Sequence, residues 1–150
     1  WLWAFTGSLY VPKGAYIQDN PAIKNSMPYM EESELIRKLE TNDKSVRFVP
    51  FGFKTGSMSS LELAKNPYVI ALAGDEGAEK LANVADKFSK KPYLYSYESV
   101  KEPLTRVSAL VSYWVIGGHR LGVCGDDHGY DWGSYAFGVK PTGEASCAQK

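Results

Sequence analysis

Histidine and cysteine are scarce in this chain of 150 residues, with two of each, and net charge is absent: seventeen Lys and Arg offset seventeen Asp and Glu. Two cysteines, Cys124 and Cys147, exclude the dense disulfide framework of small secreted domains. A single bridge between them stays open, and two free thiols in a reducing compartment, the cytoplasm, are the expectation. Zero net charge and a pI near 6.9 argue against the broad positive field used to bind nucleic acid or anionic lipid, although a local basic patch is compatible with them. The lack of long-range self-repulsion favours a homo-oligomer. No apolar run reaches the roughly 20 residues of a membrane helix, and the first residues, from Trp1, form neither a basic n-region nor a cleavage site. The expectation is a soluble chain without a membrane partner.

What is present is ordinary for a folded chain: 44% apolar and 23% charged residues, with a length that suits one domain. Aromatic residues are abundant, with four Trp, ten Tyr and six Phe.

Along the chain, 3–11 reads as an aromatic strand interrupted near Gly7 and stopped at Pro12. Residues 13–29 are punctuated by Pro21, Pro28, Asn20, Asn25 and Ser26 and read as a long surface loop. Glu31 to Glu40 predicts a helix, with Leu35, Ile36 and Leu39 on one face and Glu34 one turn before Lys38. Val46 to Val49 predicts a strand ending at Pro50. Ser59-Ser60-Leu61-Glu62 has capping-box spacing and predicts a short helix to Asn66, with Pro67 as its stop. The run Tyr68 to Ala73 is apolar on both alternating faces and reads as the central strand of a sheet. A helix from Asp75 to Lys90 and a strand Tyr93 to Tyr97 follow. Residues 107–116 alternate as one strand, Gly117-Gly118 supply a tight turn, and Arg120 to Cys124 and Tyr135 to Val139 return. The resulting expectation is an α+β fold in one domain. It has one mixed sheet, a βαβαβ-like middle over 46–97 and a C-terminal antiparallel three-stranded meander over 105–139. In that meander Gly122, Ala136 and Gly138 are expected to leave room for rings such as Trp114 or Trp132.

Three groups of residues have chemistry to offer. The densest polar cluster holds both histidines: His119, then Asp126, Asp127, His128 and Asp131. Imidazole with carboxylate suits a metal held by His119, Asp126, His128 and Asp131, or catalysis by His119, Asp127 and His128. Gly and Asp are equally the residues of a plain hairpin loop. Cys124, a strand cysteine between glycines, reads as a small buried apolar residue. The junction Lys54-Thr55-Gly56-Ser57 offers a cation, hydroxyls and free N–H groups to an anion through Lys54, Thr55 and Ser57. Both it and Gly74-Asp75-Glu76-Gly77 serve as well for simple helix capping. Tyr93, Tyr95 and Tyr97 on one strand face, with Tyr130 and Trp132 in the following loop, form an aromatic surface for a ligand or protein partner, or a buried core face. No basic residues interleave these tyrosines, so nucleic-acid stacking is disfavoured.

Two functions follow as expectations. The first is a self-associating binding or interaction module for a small polar ligand or a protein. The second is a small metal-assisted hydrolase built on the His119, Asp126, Asp127, His128 and Asp131 cluster.

Overall fold

A computed structural model describes residues 6–126, 137–139 and 145–147. Strands β1 (Thr6–Val11) and β2 (Gly14–Asp19) form a hairpin through the two-residue turn Pro12-Lys13. A second hairpin, β3 (Ala22–Lys24) and β4 (Met27–Tyr29), turns at Asn25-Ser26, whose φ angles of 52° and 62° suit a primed hairpin turn. The loop expected over 13–29 is therefore mostly paired strand. Asn20, Pro21, Asn25 and Ser26 sit between the strands, Pro28 lies within the three-residue β4, and β3 and β4 are too short to show a period.

Helix α1 (Glu32–Glu40) carries the expected Glu34–Lys38 pair at 3.4 Å. Strand β5 (Val46–Pro50) lies at a sheet edge, which is why it accommodates a terminal proline. Strands β1, β2 and β5 with β8 (Leu104–Val107) make one four-stranded antiparallel sheet, ordered β5-β2-β1-β8. Its alternation is buried on both faces. Leu9, Val11, Tyr16 and Val46 pack with Leu35 of α1 on one side, while Tyr10, Ala15, Ile17 and Val49 enter the main core on the other.

The second four-stranded sheet is mixed, ordered β6-β7-β10-β9, from β6 (Gly56–Ser57), β7 (Tyr93–Tyr95), β9 (Ala109–Val115) and β10 (Gly118–Cys124). Strands β10 and β7 are parallel and the other pairs antiparallel. Leu94, Leu121 and Val123 point from this sheet into the same main core. The α+β class and the mixed sheet are as expected. The number of sheets is not, because the extended stretch expected over 107–116 divides at Ser108. Before it the chain pairs with β1, and after it with β10. Beyond, β11 (Phe137–Val139) pairs antiparallel with β12 (Ala145–Cys147), so among the described pairings the strand expected at 135–139 joins β12 and not a meander.

The main correction concerns Tyr68 to Ala73, which is helix. Helix α2 (Ser60–Lys65) has the full capping box expected at Ser59 and Glu62, and α3 (Pro67–Ala85) starts directly after it. Asn66 caps α3, its Oδ1 accepting from the Tyr68 and Val69 N–H groups at 3.0 and 3.4 Å, and Pro67 occupies the first turn. Pro67 thus begins a helix instead of only ending one. Tyr68, Val69, Ala71 and Leu72 are all buried, and a helical turn with core on nearly every side reads as apolar at any period. At Gly74 the helix breaks, with φ 74° and ψ 169°, a conformation in the region glycine adopts without a Cβ penalty. The Arg47 Nε caps the first half by donating to the Ala71 carbonyl at 2.8 Å, and its guanidinium is held by Asp19 at 2.7 and 2.8 Å. The middle of the chain is consequently ββααβ, and Gly74 to Gly77 lies inside α3 instead of at a sheet margin.

Candidate functional site

The core between the two sheets contains hydroxyls as well as methyls, and their protons have a determined direction. Tyr10 Oη donates its only proton to the buried Gly125 carbonyl at 2.7 Å. It therefore accepts from Tyr68 Oη at 2.8 Å and from Ser96 Oγ at 2.9 Å. Tyr68, having given its proton to Tyr10, accepts from Ser8 Oγ at 3.0 Å. Burial pushes the Tyr68 phenol up to about 12 and the Tyr10 phenol well above its ordinary value, so both stay neutral. The hydroxyl ends are satisfied internally, and their rings are free to stack outward.

That stack runs to the surface. Tyr68 stacks on Phe53 at 5.0 Å between centroids, Tyr10 lies parallel to Phe51 at 6.4 Å, and Phe51 and Phe53 are 6.2 Å apart. Residues 51–53 follow β5 after Pro50, and α2 descends opposite them. Between the two lies an open groove of about 600 Å³ whose walls include Phe51, Phe53, Pro50, Leu61 and Pro67. Leu61 is 65% exposed on the outer side of α2. Asn66 Nδ2 fastens the two walls by donating to the Lys54 carbonyl at 2.8 Å. At the rim Lys54 Nζ meets Glu62 at 2.8 Å, and the Lys54 and Ser59 hydrogen bonds hold the Glu62 carboxyl down at about 2. Lys65, also in the lining, is exposed and makes no ion pair among the described residues.

No protein-family model, curated protein or solved structure matches this chain. The site therefore rests on its own geometry.

The residues singled out from the sequence are dispersed. Of the anion group, Lys54 is paired with Glu62, Thr55 Oγ1 donates to Glu98 at 2.5 Å, and Ser57 is in the two-residue strand β6. Carboxylates already occupy the first two, and only Lys54 borders the groove. His119 is the second residue of β10 and Asp126 follows the end of that strand, so their backbones stand toward opposite ends of β10. Among the described residues no three His, Cys, Asp or Glu side chains converge on a point. Asp127, His128, Tyr130, Asp131 and Trp132 lie outside the described residues.

Tyr93 and Tyr95 share a face, with centroids 4.4 Å apart, and the Tyr95 hydroxyl bonds to Tyr113 at 2.5 Å. Gly122 makes room for these rings: a Cβ there would meet Tyr113 Cε1 at 3.1 Å and Tyr95 Cε2 at 3.3 Å. Close approach at Gly122 was expected, but its ring partners are tyrosines; Trp114, on the other face of the sheet, is 72% exposed. The Arg120 guanidinium lies over Tyr93 at 5.4 Å, and its buried Nε has no hydrogen-bond partner among the described residues. Tyr97 departs from the group, since β7 ends at Tyr95 and its ring turns edge-on to Tyr10 at 4.9 Å in the main core. Cys124 is buried and free, and burial pushes its thiol up to about 12, which fits the packing role read from its sequence context.

Sequence reasoning missed Phe51, Phe53, Leu61 and Lys65. The available signal was Phe-Gly-Phe just past Pro50, two rings on a segment that cannot continue a central strand, facing a short helix with an apolar residue at its second position.

Proposed function

We propose that this chain is a binding module for a small amphiphile, an aromatic or aliphatic body carrying one anionic group, held in the groove between residues 50–54 and α2. One observation carries the reading: an open groove of about 600 Å³ lined by Phe51, Phe53 and Leu61, with the exposed ammonium of Lys65, in no ion pair among the described residues, at its margin. The volume falls within the range of small-molecule sites, about 300–1,000 Å³. The rings prefer an apolar body, and Lys65 together with the Lys54–Glu62 pair leaves one positive charge in excess for an anion. The floor is preorganised, because the Tyr68 and Tyr10 rings behind it are fixed by the hydroxyl chain to Gly125.

The test uses anilinonaphthalene sulfonate, which combines an aromatic body with an anion, and its uncharged relative N-phenylnaphthylamine. Calorimetric titration of the native protein should give one saturable site that prefers the sulfonate. Lys65→Gln should weaken sulfonate binding by about fivefold and leave the neutral dye unchanged. Leu61→Asp should weaken both by about tenfold or more. Both positions are exposed and neither contributes to the core, so folding is retained. Non-saturable uptake, or identical affinities in both variants, sinks the proposal.

A further inference from the structure

The hairpin joining β9 to β10 ends in the two-residue turn Ile116-Gly117, since Val115 pairs with Gly118. Gly117, at φ 87°, meets the conformational demand of the turn, but nothing in turn geometry asks for isoleucine. Ile116 is 100% exposed, and Trp114, two residues before it, is 72% exposed with its ring edge-on to His119 at 4.2 Å. Single exposed apolar residues are ordinary; an exposed tryptophan and an exposed isoleucine two residues apart at one hairpin turn are not explained by folding.

Beside this tip is positive charge. The segment following α3 is tied to the start of β10: the Lys90 N–H donates to the His119 carbonyl at 3.0 Å, and the His119 N–H donates to Ser89 Oγ at 2.9 Å. The Lys90 ammonium consequently lies against the turn, where a Cβ on Gly117 would be 2.7 Å from its Nζ. Lys87 and Lys91 are exposed on the same short segment, whose sole acid is Asp86. None of the three lysines is in an ion pair among the described residues.

We propose that this tip docks on an anionic lipid surface, with Trp114 and Ile116 entering the interfacial layer and Lys87, Lys90 and Lys91 facing the headgroups. Tryptophan is the side chain that favours that layer, and lysines beside it are attracted by anionic lipid. Two features favour a lipid surface over a second copy of the chain. The two side chains offer on the order of 300 Å², well short of the roughly 800 Å² per partner of a stable dimer. A two-fold contact through the tip would also set each lysine cluster against its own copy. The neutral whole-chain charge does not oppose this, because the attraction acts within about 8–10 Å of the patch. The docking is peripheral: no described helix is long and apolar enough to cross a membrane.

Vesicle flotation decides the matter, with phosphatidylcholine alone and with a phosphatidylcholine–phosphatidylserine mixture. The intact chain should float with the anionic vesicles and not with the neutral ones. Trp114→Ser combined with Ile116→Ser should reduce the bound fraction by roughly tenfold. Lys87→Gln with Lys91→Gln, which leaves Lys90 in place, should reduce it by a similar factor and weaken its salt dependence. Circular dichroism and the unfolding midpoint of each variant should match those of the parent, since these side chains make no core contact. The proposal is overturned if the chain floats with neither vesicle, if it floats equally with both, or if the serine double variant still binds. It is also overturned if sedimentation without lipid shows a dimer that the same double variant dissolves, which would assign the tip to a second copy.

Discussion

The hydroxyls of Tyr10 and Tyr68 meet at 2.8 Å in the interior between the two sheets, and proton counting makes Tyr68 the donor and Tyr10 the acceptor. The two phenols therefore have unequal importance. Tyr10→Phe leaves the buried Gly125 carbonyl without its donor and strips an acceptor from both Tyr68 and Ser96. Tyr68→Phe removes one donor to Tyr10, whose oxygen retains Ser96, and one acceptor for Ser8. The expected losses are about 2–3 kcal/mol for Tyr10→Phe and about 1 kcal/mol for Tyr68→Phe. Urea unfolding with an unchanged m value checks this, and equal losses would refute the assigned proton order.

Gly125 approaches the same pair so closely that no side chain fits. A Cβ there would be 2.0 Å from Tyr68 Oη and 2.8 Å from Tyr10 Oη. Neither ring has space to retreat, because Tyr68 is stacked on Phe53 and Tyr10 lies between Phe51, parallel to it, and Tyr97, edge-on to it. Gly125→Ala should cost about 3 kcal/mol or somewhat more, and should blunt the near-ultraviolet dichroism of the stacked tyrosines. A variant with the parent's midpoint and spectrum would show that the strand end yields more readily than the rings.

Elements whose signals are local were legible before the structure. Helix α1 shows its stripe and its Glu34–Lys38 pair, α2 its capping box, and the β9–β10 hairpin its alternation and paired glycines. Tyr68 to Ala73 was not legible as helix because burial on all sides erases the period that separates helix from strand, leaving Asn66-Pro67 as the only cue. The change of sheet at Ser108 was hidden for a related reason. Both sheets bury alternate residues, so the pattern runs unbroken across the bend, while the side-chain contact of Ser108 with Thr6 that marks it is 102 residues away in sequence. The groove draws on two nearby segments, but its concavity comes from the angle between α2 and the end of β5, which no spacing encodes. Of the residues nominated for binding, Lys54 lines it; Tyr93 and Tyr95 share one face of the mixed sheet, and Tyr97, past the end of β7, packs against the main core.

Asn66 links fold and groove and should register in both. Its Oδ1 caps α3 at the Tyr68 and Val69 N–H groups, its Nδ2 holds the Lys54 carbonyl, and the residue is buried. Asn66→Ala should lower stability by about 2 kcal/mol, a lost cap together with an unsatisfied carbonyl. Asn66→Asp keeps the cap acceptor but not the donor, so it should restore part of the stability while the wall at Lys54 stays loose. Calorimetric binding of anilinonaphthalene sulfonate should then remain weakened in both variants. Full recovery of binding in Asn66→Asp would separate the wall from the groove.

Acid should expose the role of Glu62. Its carboxyl is held down at about 2 against an ordinary value of 4.5, first by the Lys54 ammonium and then by the Ser59 backbone and hydroxyl. A folded value below the unfolded one means that the folded state binds the proton less readily. The stabilisation is therefore complete above 4.5 and is lost as pH falls from there toward about 2. Glu62 is fully exposed, so the effect should be modest and should shrink in high salt. Glu62→Gln has no proton to take up in that window. Its thermal midpoint should start below the parent's at neutral pH, and the gap should close as the medium is acidified. Curves that stay parallel from pH 6 to 2 would show that the Lys54 contact contributes nothing to folding, and would leave the rim of the groove held by Asn66 alone.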